Sequence, residues 1–154
     1  MKRIFTLLAI IVLLVCPFVY LQAHAESCEK AVHAVNAQLS PKIDEQELTD
    51  IIRTLNNTNN KKLPSRFVTK WEAKSYGWRP GKNIWSVSAL RGSSIGGDRF
   101  NNREGRLPYK KWREADLNYK GGHRGSKRLI FSSDGMRFVT VDHYNTFFEV
   151  SSCR

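Results

Sequence analysis

The chain is 154 residues long, with 25 Lys and Arg against 14 Asp and Glu and a formal net charge of +11. At 41% hydrophobic residues it has enough length and apolar content for one packed domain, which excludes a disordered polyelectrolyte. The positive excess favours polyanionic partners, nucleic acid first and an anionic membrane or cell-wall polymer second.

Met1-Lys2-Arg3 precedes an apolar run from Ile4 to Leu21, and Ala23-His24-Ala25 follows. A basic start, an apolar stretch and small residues at the end predict a signal peptide over residues 1–25. The run of 18 residues also reaches the length of a minimal membrane span, but Pro17 and the Ala-His-Ala site favour cleavage after Ala25. Cleavage takes Lys2 and Arg3 and no acid, lowering the net charge by two to +9. The expected location is then extracytoplasmic, secreted or periplasmic, with no stable membrane association once the signal has gone. The remaining 26–154 read as one domain, with an N-terminal extension over 26–43 and a core over 44–150.

Two cysteines remain, Cys28 and Cys153, near opposite ends of the mature chain. Exported proteins keep disulfides, and domain termini commonly lie close together, so a bridge tying the ends is expected. Two unrelated thiols are the alternative.

Apolar positions between Cys28 and Leu39 predict a helix that stops at Pro41. Asp44-Glu45-Gln46-Glu47 forms the acidic front of a second helix, with Leu48, Ile51, Ile52 and Leu55 at helical spacing. Asn56-Asn57-Thr58-Asn59-Asn60 ends it in a polar loop. Thr69 and Glu72 make a capping box and Gly77 a stop, which predicts a helix over Lys70 to Tyr76. Lys70 falls in its first turn, where a cation opposes the helix dipole, so local stability does not account for it. A further short helix is expected near Asn83 to Leu90.

Past Arg91 the pattern turns to strands. Trp112 to Tyr119 alternates, placing Trp112, Glu114 and Asp116 on one face. Arg128 to Phe131 and Met136 to Val141 flank Ser132-Ser133-Asp134-Gly135, a hairpin signal, and Phe147 to Val150 reads as a last strand. Helices first and strands afterwards predict an α+β fold, helices packed on an antiparallel sheet. The four tryptophans are read mostly as core and helix–sheet packing.

One carboxylate, two guanidiniums and one imidazole fall within about thirty residues: Glu114, Arg124, Arg128 and His143. That set suffices for metal-free cleavage of an RNA phosphodiester: a base, an acid and fixed positive charge. Each residue alone has a duller reading. Glu114 can be a strand-face charge, His143 a structural histidine, Arg124 and Arg128 solvated surface, and Lys70 a helix-surface lysine. His33 and His123 are read as structural.

The surrounding runs decide between these readings. They are Lys62-Leu63-Pro64, Thr69-Lys70 with Glu72-Ala73, Gly77-Trp78, Ser94-Ile95-Gly96-Gly97-Asp98, Asn102-Arg103-Glu104-Gly105, Leu107-Pro108, Trp112-Arg113-Glu114-Ala115-Asp116, Asn118-Tyr119, Ser132-Ser133-Asp134, and Asp142-His143-Tyr144 with Thr146-Phe147. In order and at nearly the right spacing, they resemble the barnase-like bacterial ribonucleases, relatives of the fungal guanyl-specific ribonucleases. The resemblance implies the microbial ribonuclease fold, and an endoribonuclease that needs neither metal nor cofactor. Such an enzyme cuts single-stranded RNA 3′ of guanosine through a 2′,3′-cyclic phosphate, which is then hydrolysed. It further implies Glu114 as general base, His143 as general acid, and Lys70, Arg124 and Arg128 around the scissile phosphate. Phe100, Asn101, Asn102, Arg103 and Glu104 become the guanine-reading loop, with Tyr144 beside the substrate. A monomer acting on RNA and not DNA is expected, together with an acidic intracellular inhibitor in the producing cell. A non-catalytic cationic binder of RNA or envelope polymer is the alternative.

The chain departs from the family in five places. Only Tyr109-Lys110-Lys111 separate Pro108 from Trp112, where a longer Gly- and Ser-containing loop is usual. Asn101 stands where serine is common. The segment between Trp78 and Ser94 is about one residue longer and carries Trp85. Glu26 to Lys42 and the tail after Glu149 have no counterpart in the resemblance.

Overall fold

The computed structural model describes residues 26–154; the expected signal peptide, 1–25, lies outside the described residues. Helix α1 (Cys28–Gln38) starts at Ser27, whose hydroxyl accepts from Lys30 N. Helix α2 (Glu45–Asn57) starts at Asp44, whose carboxylate accepts from Glu47 N at 3.0 Å, and Glu45 and Glu47 complement the dipole of its first turn. Its stripe of Leu48, Ile51, Ile52 and Leu55 is wholly buried. Burial of each such side chain contributes about 1.5–3 kcal/mol. The asparagine run ends α2 as expected: Asn59 and Asn60 take positive φ, and Asn60 N donates to Leu55 O at 2.7 Å.

The sheet has six strands in chain order: β1 (Phe67–Val68), β2 (Ser94–Phe100), β3 (Trp112–Asp116), β4 (Arg128–Ser132), β5 (Arg137–Thr140) and β6 (Phe148–Glu149). All pairs are antiparallel except β1–β2, which is parallel. The α+β expectation therefore holds, with one parallel edge added. One face, carrying Ala115, Leu129, Phe131 and Val139, packs on α2 and on Ala31, Val32 and Val35 of α1. A Cys28–Cys153 disulfide closes the ends, as expected. Asn36 of α1 accepts from Ile43 N at 2.9 Å and donates to the Glu45 carboxylate at 2.8 Å, so the two helices are also joined through polar groups.

Three sequence expectations need correction. The helix expected over Asn83 to Leu90 is instead two 3₁₀ turns, Ile84–Ser86 and Ser88–Leu90, divided by an extended Val87. Serines and a β-branched residue are poor formers of a continuous helix there. The strand expected over Trp112 to Tyr119 stops at Asp116. Asn118 turns to φ 58°, and its N and Nδ2 both donate to Glu47 Oε2 at 2.7 Å, fastening the chain to α2.

Strand β2 was not expected, because Gly96-Gly97-Asp98 has the composition of a turn. The glycines serve a different purpose. A Cβ on Gly96 would sit 2.6 Å from Phe67 Cδ1 and 2.9 Å from Leu63 Cδ1, so only glycine lets β2 lie against β1. Gly97 carries φ 93° within the register shift between Gly96 and Asp98, a bulge that leaves Asp98 opposite Glu114. Helix α3 (Lys70–Ser75) then starts over this end of the sheet, with its expected capping box formed by Thr69 and Glu72.

Candidate active site

Alternation along β3 sends Ala115 into the helix-side core and Glu114 to the opposite face. Glu114 is only 6% exposed, and both carboxylate oxygens are engaged. Lys70 Nζ donates to Oε1 at 2.7 Å, and the Tyr144 hydroxyl donates to Oε2 at 2.7 Å. Burial alone pushes this carboxyl up, more than any other single influence does. The hydrogen bonds from Lys70 and Tyr144, with the charges of Lys70 and Arg128, together outweigh it and hold the group below its ordinary 4.5. Glu114 is therefore an ionised, nearly dry carboxylate at neutral pH.

Lys70 now has its explanation. It sits against its own helix dipole because its ammonium is directed at Glu114, 44 residues away in the chain, while its backbone N–H donates to Asp98 Oδ2 at 2.9 Å. Two residues beyond Glu114 on the same face, Asp116 receives both arginines. Arg124 Nε and Nη2 donate to its two oxygens at 2.6 Å each, a parallel two-donor clamp. Arg128, the cross-strand partner of Asp116, brings Nε to 3.0 Å of Oδ1; the contact is ionic and misaligned for a hydrogen bond. Its Nη1 donates to the carbonyls of Gly125 and Lys127 at 2.8 and 2.7 Å. The arginines thus grip Asp116 and not Glu114, and Arg128 acts on Glu114 through its charge. One carboxylate shared by two guanidiniums leaves a net positive charge beside Glu114.

His143 and Tyr144 occupy the turn after β5, both in the left-handed region at φ 56° and 67°. Non-glycine residues there are strained and persist only where their surroundings hold them. Asp142 does so: its carboxylate accepts from Asn145 N at 3.1 Å, Thr146 N at 3.0 Å, the Thr146 hydroxyl and the Thr140 hydroxyl. Thr140 Oγ1 in turn accepts from Tyr144 N at 3.1 Å. Tyr144 reaches Glu114, and its chain neighbour His143 is exposed.

The loop after β2 forms the other wall. Phe100 stacks on Tyr144 at 5.1 Å with a 22° interplanar angle and leans on Phe147. Asn102, at φ 46°, spends both side-chain arms on one residue: Nδ2 donates to Leu107 O at 2.7 Å and Oδ1 accepts from Leu107 N at 3.1 Å. Its side chain shapes the loop, while Asn101, Arg103 and Glu104 are exposed. Arg106 donates to Asn145 O, joining this loop to the His143 turn.

Sequence reasoning named Lys70, Glu114 and Tyr144, which the fold joins. It overlooked Asp98, which accepts from the Lys70 backbone, and Asp116, the partner of both arginines, although Asp116 had been placed on the Glu114 face. Of the other described histidines, His33 pairs with Glu45 on the surface and His123 is exposed. Among the described residues no three His, Cys, Asp or Glu side chains form a metal-sized group.

The ribonuclease family model matches residues 53–151. A ribonuclease of Bacillus pumilus is 38% identical over 162 aligned residues, covering 95% of each chain. A ribonuclease of Heyndrickxia coagulans is 50% identical over 91 residues, covering 56% of this chain and 82% of that one. One of Bacillus intermedius is also 50% identical, over 56% of this chain and 55% of its own length. A crystal structure of ribonuclease Sa2 with guanosine-2′-cyclophosphate is 35% identical, covers 37% of this chain and 64% of that chain, and has a TM-score of 0.34. With Glu114, Lys70 and Tyr144 meeting in one cleft and a full-length relative that is a ribonuclease, the chain belongs to the barnase-like family of bacterial ribonucleases.

Proposed function

We propose that the protein cleaves single-stranded RNA 3′ of guanosine by transphosphorylation. Glu114 takes the proton of the ribose 2′-OH as that oxygen attacks phosphorus. The bond to the 5′-oxygen breaks, and His143 gives that oxygen its proton, leaving a 2′,3′-cyclic phosphate. In the slower second step His143 takes a proton from water as the water oxygen attacks phosphorus, the bond to the 2′-oxygen breaks, and Glu114 returns its proton to that oxygen. Lys70, Arg124 and Arg128 stabilise the charge that builds on the phosphoryl oxygens. The nucleophile is part of the substrate, so proximity is built in, and DNA, lacking a 2′-OH, is spared.

The observation that carries this reading is the state of Glu114: a buried carboxylate kept ionised by one lysine and one tyrosine, beside fixed cations. Guanine preference rests on the loop Phe100 to Glu104, whose Glu104 carboxylate is 70% exposed and loosely placed 3.8 Å from Arg106 Nε. It can accept from the guanine N1–H and exocyclic amine. The disulfide supports an exported protein, and we propose that 1–25 is its signal and 26–154 one ribonuclease domain, 44–150 forming its core. A monomer and an acidic intracellular inhibitor fit the same reading.

Cleavage of guanylyl-(3′→5′)-nucleosides in excess chelator tests it. Glu114→Ala and His143→Ala are each expected to lose at least about a hundredfold in rate with the fold intact by circular dichroism. Near-parental turnover in either variant removes that residue from the mechanism.

A further inference from the structure

The sheet is charged on a second face that the cleft does not use. On β3, Arg113 points away from Glu114, and its register partner on β2 is Arg99. Like charges placed directly opposite in an antiparallel pair are destabilising, so stability does not call for this arrangement. Both side chains border a cavity of about 380 Å³ with Lys61, Lys111, Trp112 and Phe131. Its volume lies at the small end of the roughly 300–1,000 Å³ of ligand pockets. Four cations line it and, among the described residues, no acid.

None of these four cations enters an ion pair among the described residues, whereas the neighbouring Lys110 pairs with Asp134. Arg113 Nη1 donates to Lys61 O at 3.2 Å, which fastens the loop to the sheet and forms one wall. A second cavity of about 360 Å³ shares Lys61, Gly97, Arg113 and Phe131 and continues past Lys62. The one acid bordering that continuation, Glu72, is engaged by Thr69. The result is a basic trough with an apolar floor.

We propose that this trough is a second RNA-binding surface, one that holds nucleotides flanking the bond being cut. The inference rests on the ribonuclease reading of the cleft. Gly97 and Arg113 face the trough, while Asp98 and Glu114, each one residue further along the same strands, face the cleft. A strand of RNA passing the end of β2–β3 can therefore occupy both. The shape favours a strand over a membrane: the cations surround a recess, and its apolar floor, Phe131, is 1% exposed and not a protruding anchor. Guanidiniums along a groove with apolar surface beneath them suit backbone phosphates and their bases.

The test uses the paired variant Arg99→Gln with Lys111→Gln, two exposed side chains outside the cleft. The probe is a 2′-O-methyl oligonucleotide of about twelve nucleotides, which binds but cannot be cleaved. The variant is expected to bind it about tenfold more weakly at low salt, with the salt slope shallower by about 1.4, while guanylyl-nucleoside cleavage stays within about twofold. Affinity is read without turnover, so a parent protein that cleaved nothing would fail the ribonuclease reading and leave this comparison readable. Unchanged oligonucleotide affinity, an equal loss on the dinucleotide, or a loss confined to phosphatidylglycerol vesicles would each overturn the proposal.

Discussion

The Tyr144 hydroxyl donates to Glu114 Oε2 at 2.7 Å, and this bond joins the turn after β5 to the centre of β3. Burial, the bond to Glu114 and that carboxylate's charge push the tyrosine up to about 12, against the opposing charge of Arg128. It therefore stays a protonated donor throughout the neutral range. The same tyrosine stacks on Phe100, so it ties Glu114 to the end of β2 as well.

Tyr144→Phe removes the donor and keeps the ring. Glu114 then loses one of the bonds that hold it below 4.5, and its folded pKa rises. Because that pKa is depressed in the parent, the carboxylate contributes stability above its unfolded value, lost as pH falls through the folded one. In the variant the loss begins at a higher pH. The acid limb of kcat/KM is expected to move to higher pH, since one of the hydrogen bonds that favour the charged form has gone. A pH profile on a guanylyl-nucleoside checks this; an unmoved limb means the hydroxyl does not hold the charge of Glu114.

Asp116 is 4% exposed as a side chain and Arg128 6%, so their charges meet with little water. Asp116→Asn leaves two guanidiniums without a carboxylate, and breaking a buried pair this way costs about 3–5 kcal/mol. Urea unfolding at neutral pH measures it. Inorganic phosphate should stabilise the variant more than the parent, because the freed guanidiniums become an anion site. A loss under about 1 kcal/mol, with no added phosphate effect, would mean that the clamp does not hold this part of the sheet together.

Where a site residue's meaning depended on local spacing, it was legible in the sequence. The period of two put Glu114 and Asp116 on one face, the Thr69–Glu72 spacing fixed the start of α3, and the oddity of Lys70 followed from its place in that first turn. What depended on register was not legible. Which carboxylate the arginines grip is decided by Asp116 lying opposite Arg128, a property of the β3–β4 pairing alone. Strands β1 and β2 were hidden because two residues make no pattern and paired glycines resemble a turn. They exist as strands through the close approach that Gly96 permits. Trp71, expected among the packed tryptophans, is 76% exposed, since α3 is too short to bury more than Ala73.

The Asp142 carboxylate is the lock on the His143 turn, and its pKa carries the mark of that work. The Thr146 hydroxyl, against a smaller contribution from burial, leads a set of donors that lower it to about 2. Its ionised form thus contributes stability above its ordinary value, lost only as pH falls toward about 2, so the lock is closed wherever the enzyme works. Asp142→Asn keeps the shape but replaces one acceptor oxygen with a donor. Two residues at positive φ, His143 and Tyr144, then lose the bonds that offset their strain of about 1–3 kcal/mol each. A misplacement near 1 Å at a catalytic group costs about a hundredfold, so cleavage should fall by about ten- to a hundredfold. The melting temperature should fall far less, because the turn is exposed and outside both the helix-side core and β3. Parental turnover in this variant would show that the imidazole does not need the turn to be placed, whereas a collapse of the whole fold would make Asp142 a residue of the core's stability and not of the site.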